Sequence, residues 1–391
     1  MDHVRVSRMR AALEVERLDA LVVRLPENVL LLSGFWPMIG ASTLVFPRDG
    51  KPICIAPECF LNETRANVWE AEIRTYRFGV LDSPDPVLAV GNMLSDIARG
   101  KRWTRVGYEG SFSMIAPSWH SGEGRVLNEQ TRAFYEANLP GCSLVDASAL
   151  LQSERRRKTE YEAAKMRIAS EISCFGLKAF ELEVKAGVSG VELAALVERE
   201  VMVRGSGYKG ASRVRGYAQV ATGAEESAVG YRMNEISTTR NMKSGEIALL
   251  ELGVVADGYW ADRTRARVAG KPTDEQIRVF ETVSSAQEAA IAAIRPGATC
   301  GEVDAAARAV IDEAGYGRQF LHITGHGLGF GYHESNPILA PGSAEILEVG
   351  NFTSVEPGIY FTPVGGVRLE EDVMVTASGA EVFGPFPKKL A

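Results

Sequence analysis

Apolar and polar positions in the first third of the chain alternate between helical and strand-like spacing. Residues 7–16 carry apolar side chains at helical intervals behind Ser7, a suitable N-cap. Leu18-Asp-Ala-Leu-Val-Val23 then reads as a buried strand. Ser42-Thr-Leu-Val-Phe46 and Pro52-Ile-Cys-Ile-Ala56 predict two more strands around the turn Asp49-Gly50. Such alternation is the signature of an α/β layered domain. The pattern changes near residues 150–158, where Arg155-Arg156-Arg157-Lys158 precedes a long helical stretch starting about Thr159. We place a boundary there, giving domains 1–155 and 156–391. The basic cluster, followed at once by Glu160, reads as a solvated linker or helix start.

The second part holds a weak internal repeat. Gly187-Val-Ser189-Gly-Val-Glu192 and Gly297-Ala-Thr299-Cys-Gly-Glu302 share the capping pattern Ser/Thr-x-x-Glu. A helical run follows each, and each run closes on Gly-Tyr (Gly207-Tyr208, Gly315-Tyr316), with glycine suited to the C-cap. Both copies precede the segments that carry the acids of interest. A duplicated helix-plus-strands unit closing around one site accounts for that placement.

Composition narrows the function classes. The net charge of −7 leaves no basic arm or stripe for tracking phosphates, so nucleic-acid binding is not expected. The five cysteines are scattered without a CxxC pair, which argues against a disulfide framework and a cysteine zinc site. The first twenty residues carry charges throughout and hold no signal-peptide core. No apolar stretch reaches the ~20 residues that span a bilayer. A soluble, reduced, cytoplasmic protein is the expectation.

Candidate chemistry concentrates in the second part. Glu251-Leu-Gly-Val-Val-Ala-Asp-Gly-Tyr-Trp-Ala-Asp262 contains the hairpin signal Asp257-Gly258. A two-residue loop pairs Ala256 with Tyr259 and Glu251 with Thr264, which puts Asp262 on the face of Glu251. Two carboxylates facing each other in an apolar hairpin repel and lose solvation, and a cation between them resolves both costs. The alternative puts both on a solvent face beside Arg263 or Arg265.

Three of the five histidines lie in His322-Ile-Thr-Gly-His326-Gly-Leu-Gly-Phe-Gly-Tyr-His333-Glu334. Glycines at 325, 327, 329 and 331 let this backbone bend closely, and their spacing is not that of a dinucleotide loop. A lone buried histidine is usually a satisfied core residue; three in one glycine-rich segment beside unexplained acids point to ligands. Glu356 ends an apolar strand in Phe352-Thr-Ser-Val-Glu356-Pro357-Gly358. Residues 365–375 read as one strand with Arg368 and Glu370 on one face. Singly, these acids also fit strand-edge surface charge. Carboxylates with an imidazole favour a hard or borderline divalent ion.

In order and combination, these segments resemble the pita-bread metallopeptidases, the group of methionine aminopeptidase, aminopeptidase P, prolidase and creatinase. The resemblance rests on Glu251-x-Gly253, Gly258-Tyr259-x-x-Asp262-x-Thr264-Arg265, Gly325-His326-Gly327-Leu328-Gly329, His333-Glu334-Ser-Asn-Pro337, Glu356-Pro357-Gly358 and Arg368-Leu369-Glu370. The N-terminal part is similar to the creatinase/prolidase N-terminal domain through Leu18 to Val23, Asn28-Val-Leu-Leu-Leu-Ser-Gly34-Phe35 and Asp49-Gly50. It implies an α/β (α+β) chain: a creatinase-like α/β domain, then a pita-bread domain with pseudo-twofold repeat. It implies two divalent ions, manganese first, with zinc, cobalt or iron possible alternatives, on Glu251, Asp262, His326, Glu356 and Glu370. Asp262 and Glu370 would bridge them, and a hydroxide between the ions would attack the scissile carbonyl. Glu356 is then the implied proton shuttle and His333 the donor to the carbonyl oxygen; His322, His333, Tyr231 and Arg368 are the implied substrate contacts. A homodimer or homotetramer is also implied.

Two departures stand out. The family usually has aspartate where Glu251 stands, and its peptidases usually carry a histidine where Gly230 precedes Tyr231-Arg232. Tyr231 or Arg232 is expected to substitute, and Phe35, Trp36 and the loop to Ser42 to reach substrate. The first functional expectation is an Xaa-Pro peptidase of the prolidase or aminopeptidase P type acting on small peptides. The alternative is a creatinase-like C–N hydrolase or lyase of a small molecule. A third class, a catalytically dead binding module, is disfavoured by five retained ligand-type residues.

Overall fold

In the computed structural model, which describes residues 1–37, 42–78, 85–110, 129–231 and 237–391, the first helix starts earlier than the apolar spacing suggests. Helix α1 (His3–Val15) is capped by Asp2, not Ser7: the Asp2 carboxylate accepts the Arg5 backbone N–H at 3.0 Å. The extra turn is held because Arg5 is fully buried and pairs with Glu154 at 2.8 Å, a contact that periodicity does not reveal. The chain divides into two compact units, Met1–Arg155 and Arg156–Ala391.

The first unit is a six-stranded mixed sheet. Its strands are β1 (Ala20–Val23), β2 (Thr43–Pro47), β3 (Ile53–Pro57), β4 (Glu72–Tyr76), β5 (Arg105–Tyr108) and β6 (Ser143–Asp146), in the order β4-β3-β2-β1-β5-β6. Strands β2 and β3 form the expected antiparallel pair around Asp49-Gly50. Strand β1 is shorter than the apolar run that announced it. Helices α2 (Pro26–Ser33), α3 (Leu61–Asn67), α4 (Pro86–Arg99), α5 (Glu129–Asn138) and α6 (Ser148–Arg156) complete the unit. Val22, Val45, Ile55, Leu94, Val106 and Tyr135 meet in its core.

The second unit repeats one layout. Helices α7 (Glu160–Glu183) and α8 (Gly190–Gly205) pack on β7 (Val214–Thr222), β8 (Ile247–Ala256) and β9 (Tyr259–Val268), with the short α9 (Gly223–Ser227) after β7. Helices α10 (Asp274–Ala293) and α11 (Cys300–Glu313) pack on the strands of the second half. These are β10 (Gly325–Gly327), β11 (Glu334–Leu339), β12 (Phe352–Val355), β13 (Gly358–Phe361), β14 (Gly365–Arg368), β15 (Glu371–Thr376) and β16 (Gly379–Val382). Thr159, Ser189, Thr273 and Thr299 each close a full capping box, which satisfies two otherwise orphaned N–H groups per helix. Gly207 and Gly315 leave α8 and α11 at φ +87° and +86°, in the left-handed conformation that ends a helix. The internal repeat read from the sequence is therefore a structural one, and the chain has the creatinase-like plus pita-bread architecture.

The β8–β9 hairpin turns through Asp257 (φ +50°) and Gly258 (φ +92°), a two-residue loop with both central residues left-handed. Its register pairs Ala256 with Tyr259, Glu251 with Thr264 and Gly253 with Asp262. Two expectations change. Residues 365–375 form two strands, β14 and β15, with Leu369 and Glu370 between them, because the Glu370 N–H leaves the ladder to donate to Thr264 O at 3.1 Å. The basic cluster is not uniformly solvated: Arg157 is half exposed, but Lys158 is buried and pairs with Glu334 at 2.9 Å. No helix among the described residues is long and apolar enough to cross a membrane.

Candidate metal centre

Each site residue is delivered by a backbone feature that the sequence specifies. The hairpin turn fixes Glu251 and Asp262 on one face; β10 carries His326; the end of β12 carries Glu356; the break between β14 and β15 presents Glu370. Gly325 and Gly327 are needed here: a Cβ on either would lie 2.0 Å from the carbonyl oxygen of Ser354 or Asn336. Only glycine lets β10 pass so close to its neighbours.

Asp262, His326, His333, Glu356 and Glu370 converge. His326 Nε2 lies 3.3 Å from Glu356 Oε1 and 3.6 Å from Asp262 Oδ2, and His333 Nε2 lies 3.8 Å from Asp262 Oδ2. Two triads, Asp262–His326–His333 and His326–Glu356–Glu370, each have ligand atoms within 4.8 Å of one another. The alternative that Arg263 or Arg265 satisfies Asp262 on a solvent face is excluded: both arginines are buried on Glu371, and Asp262 is 1 % exposed.

The electrostatics of this cluster are those of too many buried anions. Burial, then Glu251 and Glu356, holds the Asp262 carboxyl well above the usual carboxylate range. Glu370 is pushed the same way by burial and then by Asp262 and Glu356. Glu356 is raised by burial, against the pull of His326 and Arg368. Asp262 Oδ1 and Glu370 Oε1 are buried without a hydrogen-bond partner. His326 Nδ1 lies 2.9 Å from Gly327 O, which can only accept, so Nδ1 carries a proton and Nε2 is the ring nitrogen that faces the carboxylates. Buried carboxyl oxygens without partners and an imidazole nitrogen gathered at one point are the donor set of a divalent ion, so the residues fit a divalent metal.

The remaining predicted residues surround this cluster. Arg368 is buried against Glu251, with its Nε donating to Thr264 Oγ1 at 3.0 Å and its Nη1 to Tyr360 Oη at 3.1 Å. Thr264 in turn donates to Glu370 Oε2 at 2.7 Å. His322 is committed internally: Nδ1 is 2.7 Å from Ile323 O and Nε2 2.8 Å from Tyr360 Oη. Burial, and secondarily Arg368, depresses His322 to about 3, so it is neutral. Tyr231 stacks edge-on against Tyr360, with centroids 5.3 Å apart. Arg232 and the centre of the loop before Ser42 lie outside the described residues, and Phe35 is buried. Gly230 fits tightly: a Cβ there would meet Leu249 Cδ2 at 2.8 Å.

Sequence reasoning missed several supporting residues. Tyr332 donates to Glu251 Oε1 at 3.0 Å, and Tyr360 links Arg368 to His322. Asp372 accepts the Asp262 N–H at 3.0 Å and the Ser170 hydroxyl at 2.6 Å; burial raises it to about 6. Tyr332 and Asp372 adjoin motif residues, which was the available signal; Tyr360 gave none beyond its place after Glu-Pro-Gly.

The chain matches the family model of metallopeptidase family M24 over residues 164–377 and that of the creatinase/prolidase N-terminal domain over residues 5–156. It is 30 % identical to an Xaa-Pro dipeptidase of Lactobacillus delbrueckii subsp. lactis, over 97 % of this chain and 96 % of that one. An Xaa-Pro dipeptidase of Lactobacillus helveticus is 29 % identical over 89 % and 86 % of the two chains. Among solved structures, an Xaa-Pro dipeptidase from Bacillus anthracis superposes with a TM-score of 0.79 at 25 % identity, covering 99 % of this chain and 98 % of that one.

Proposed function

The chain belongs to metallopeptidase family M24, and from that premise we propose that it is a divalent-metal-dependent Xaa-Pro dipeptidase. The observation that carries the reading is the pair of orphaned buried oxygens, Asp262 Oδ1 and Glu370 Oε1, in one cluster with His326 Nε2. Asp262, His326, Glu356 and Glu370 would hold the metal, manganese by preference for this mixed carboxylate and imidazole set. When bound, a divalent ion polarises a carbonyl oxygen and acidifies a coordinated water.

The chain's own groups supply the rest. Glu356 is mostly buried, with its side chain 13 % exposed, and its proton affinity is raised, which suits it to hold a proton taken from the attacking water and to release it to the leaving prolyl nitrogen. His333 lies at the rim of the cluster with its Nε2 toward Asp262, a position from which it can donate to the carbonyl oxygen as charge develops. Neutral His322 and Tyr360 form a fixed wall, and Arg368, held on Glu251, adds a buried positive charge beside the cluster that favours a developing anion.

Gly230 favours a second reading. The position where family peptidases carry a histidine has no side chain, and a Cβ there would meet the Leu249 methyl at 2.8 Å, so a larger residue requires Leu249 to shift. A small amide or other C–N substrate, hydrolysed as in creatinase relatives, is the alternative. The test is release of the N-terminal residue from a panel of Xaa-Pro dipeptides and one Xaa-Pro-Yaa tripeptide, with manganese and with a chelator. Chelator-sensitive dipeptide cleavage is the expected result. No turnover by manganese-loaded protein would transfer the assignment to the small-molecule reading.

A further inference from the structure

Among the acids of the centre, Glu251 stands apart. Its two oxygens are both engaged: Oε1 accepts the Tyr332 hydroxyl at 3.0 Å and Oε2 the Arg368 guanidinium. Asp262 and Glu370 each keep a buried oxygen with no partner, and neither ligand triad includes Glu251.

The engagement of Glu251 is built into the surrounding packing. Tyr332 reaches it because Gly253 leaves space for the phenol ring, which a Cβ at 253 would meet at 2.7 Å. The ring is also fixed against Trp260, with centroids 5.4 Å apart. Arg368 is 4 % exposed and held at three other points, by Thr264 Oγ1, Tyr360 Oη and Gly230 O. A second dication at Glu251 would have to take the carboxylate away from this guanidinium. It would then leave a buried arginine next to two metal ions with only Glu356, 3.8 Å from its Nε and itself a proposed ligand, as close counter-charge, an arrangement that desolvation makes unfavourable.

We infer that this chain binds one divalent ion per subunit, on Asp262, His326, Glu356 and Glu370, and that Arg368 paired with Glu251 supplies the second positive charge. Glu251 is then the anchor of an arginine and not a metal ligand. The longer side chain of glutamate lets it span to Arg368 and Tyr332 together. The inference rests on the metallopeptidase reading of the site, but stoichiometry and peptide turnover can fail independently.

The experiment is metal counting on the full-length protein. Chelated protein is titrated with Mn2+, followed by elemental analysis after desalting and by electron paramagnetic resonance. One equivalent per chain with an uncoupled Mn2+ signal is expected for the wild type. Glu251→Gln is expected to keep one equivalent with affinity weakened by about 10–100-fold, as for a residue that supports the ligands from outside, and Asp262→Asn to lose it. Two equivalents in the wild type with a spin-coupled signal would overturn the inference, as would loss of metal in E251Q. Because the wild-type count decides the matter alone, a poorly folding variant cannot obscure it.

Discussion

At the scale of single residues, the centre is a set of carboxyl groups displaced from their ordinary proton affinity by burial and by one another. For Asp262, Glu356 and Glu370 the native chain binds protons that the unfolded chain has released. A carboxyl raised in the folded state stabilises the protein below its unfolded pKa of about 4 and loses that advantage as pH rises through the folded value. Metal-free protein should therefore lose thermal stability as pH rises from about 4, the unfolded carboxyl value, and D262N should flatten that slope. Melting curves in a chelator across this range measure it; a slope unchanged in D262N would remove Asp262 from the account. The same protons must leave when metal enters, so Mn2+ affinity should rise with pH over this window, with proton release visible by calorimetry in buffers of different ionisation enthalpy. Purified D262N and E370Q should be folded and lack tightly bound Mn2+; a full metal complement in either would exclude that carboxylate as a ligand.

Much of this was legible from spacing, because a two-residue turn determines which side chains face each other. The pairing of Glu251 with Thr264 follows from Asp257-Gly258 without any tertiary knowledge. What spacing could not supply was the destination of long side chains. Arg368 bonding to Glu251, and Tyr332 reaching back across the site, depend on packing between segments far apart in sequence. Ser7 was misread for the same reason: the buried Arg5–Glu154 pair, 149 residues apart in the chain, extends the helix to Asp2.

At the scale of elements, the glycine-rich segment that bears His326 and His333 is clamped from below. Glu334 accepts the N–H groups of Phe330 and Gly331 at 3.1 and 3.2 Å and the Lys158 ammonium at 2.9 Å. Lys158 is tied in turn by its own N–H to Gly350 O at 2.7 Å. A buried ion pair is costly to break from one side, because the remaining charge is left without compensation. Lys158→Met should cost about 3 kcal/mol in urea unfolding, within the range for such breakage. It should also lower kcat more than it raises KM, since it loosens the loop that carries His333. The double variant with Glu334→Gln should recover part of the stability, and strict additivity of the two losses would argue that the groups do not act as a pair. Sequence alone assigned Lys158 to a solvated basic run, because charge patterning carries no information about a partner 176 residues away.

At the scale of the whole molecule, the two units divide cleanly in the chain, and every proposed ligand belongs to the second. Alternating helix and strand patterns foretold the layered first unit, and the duplicated capping boxes foretold the repeat in the second. The strand order β4-β3-β2-β1-β5-β6 was not legible, since parallel neighbours such as β1 and β5 are joined by no local signal. This division has a thermodynamic consequence. A ligand that binds only the native state of one unit stabilises that unit by RT ln(1 + [L]/Kd), about 2.7 kcal/mol at a hundredfold excess over Kd. For a unit of this size that corresponds to a rise of roughly 5–10 °C in its melting temperature. Scanning calorimetry with and without Mn2+ should therefore move one transition upward and leave the transition of residues 1–155 in place. A single transition that shifts as a whole would mean that the chain unfolds as one cooperative block, and the metal would then stabilise the sheet of the first unit through that coupling. An unmoved thermogram at saturating Mn2+ would instead count against metal binding by Asp262, His326, Glu356 and Glu370.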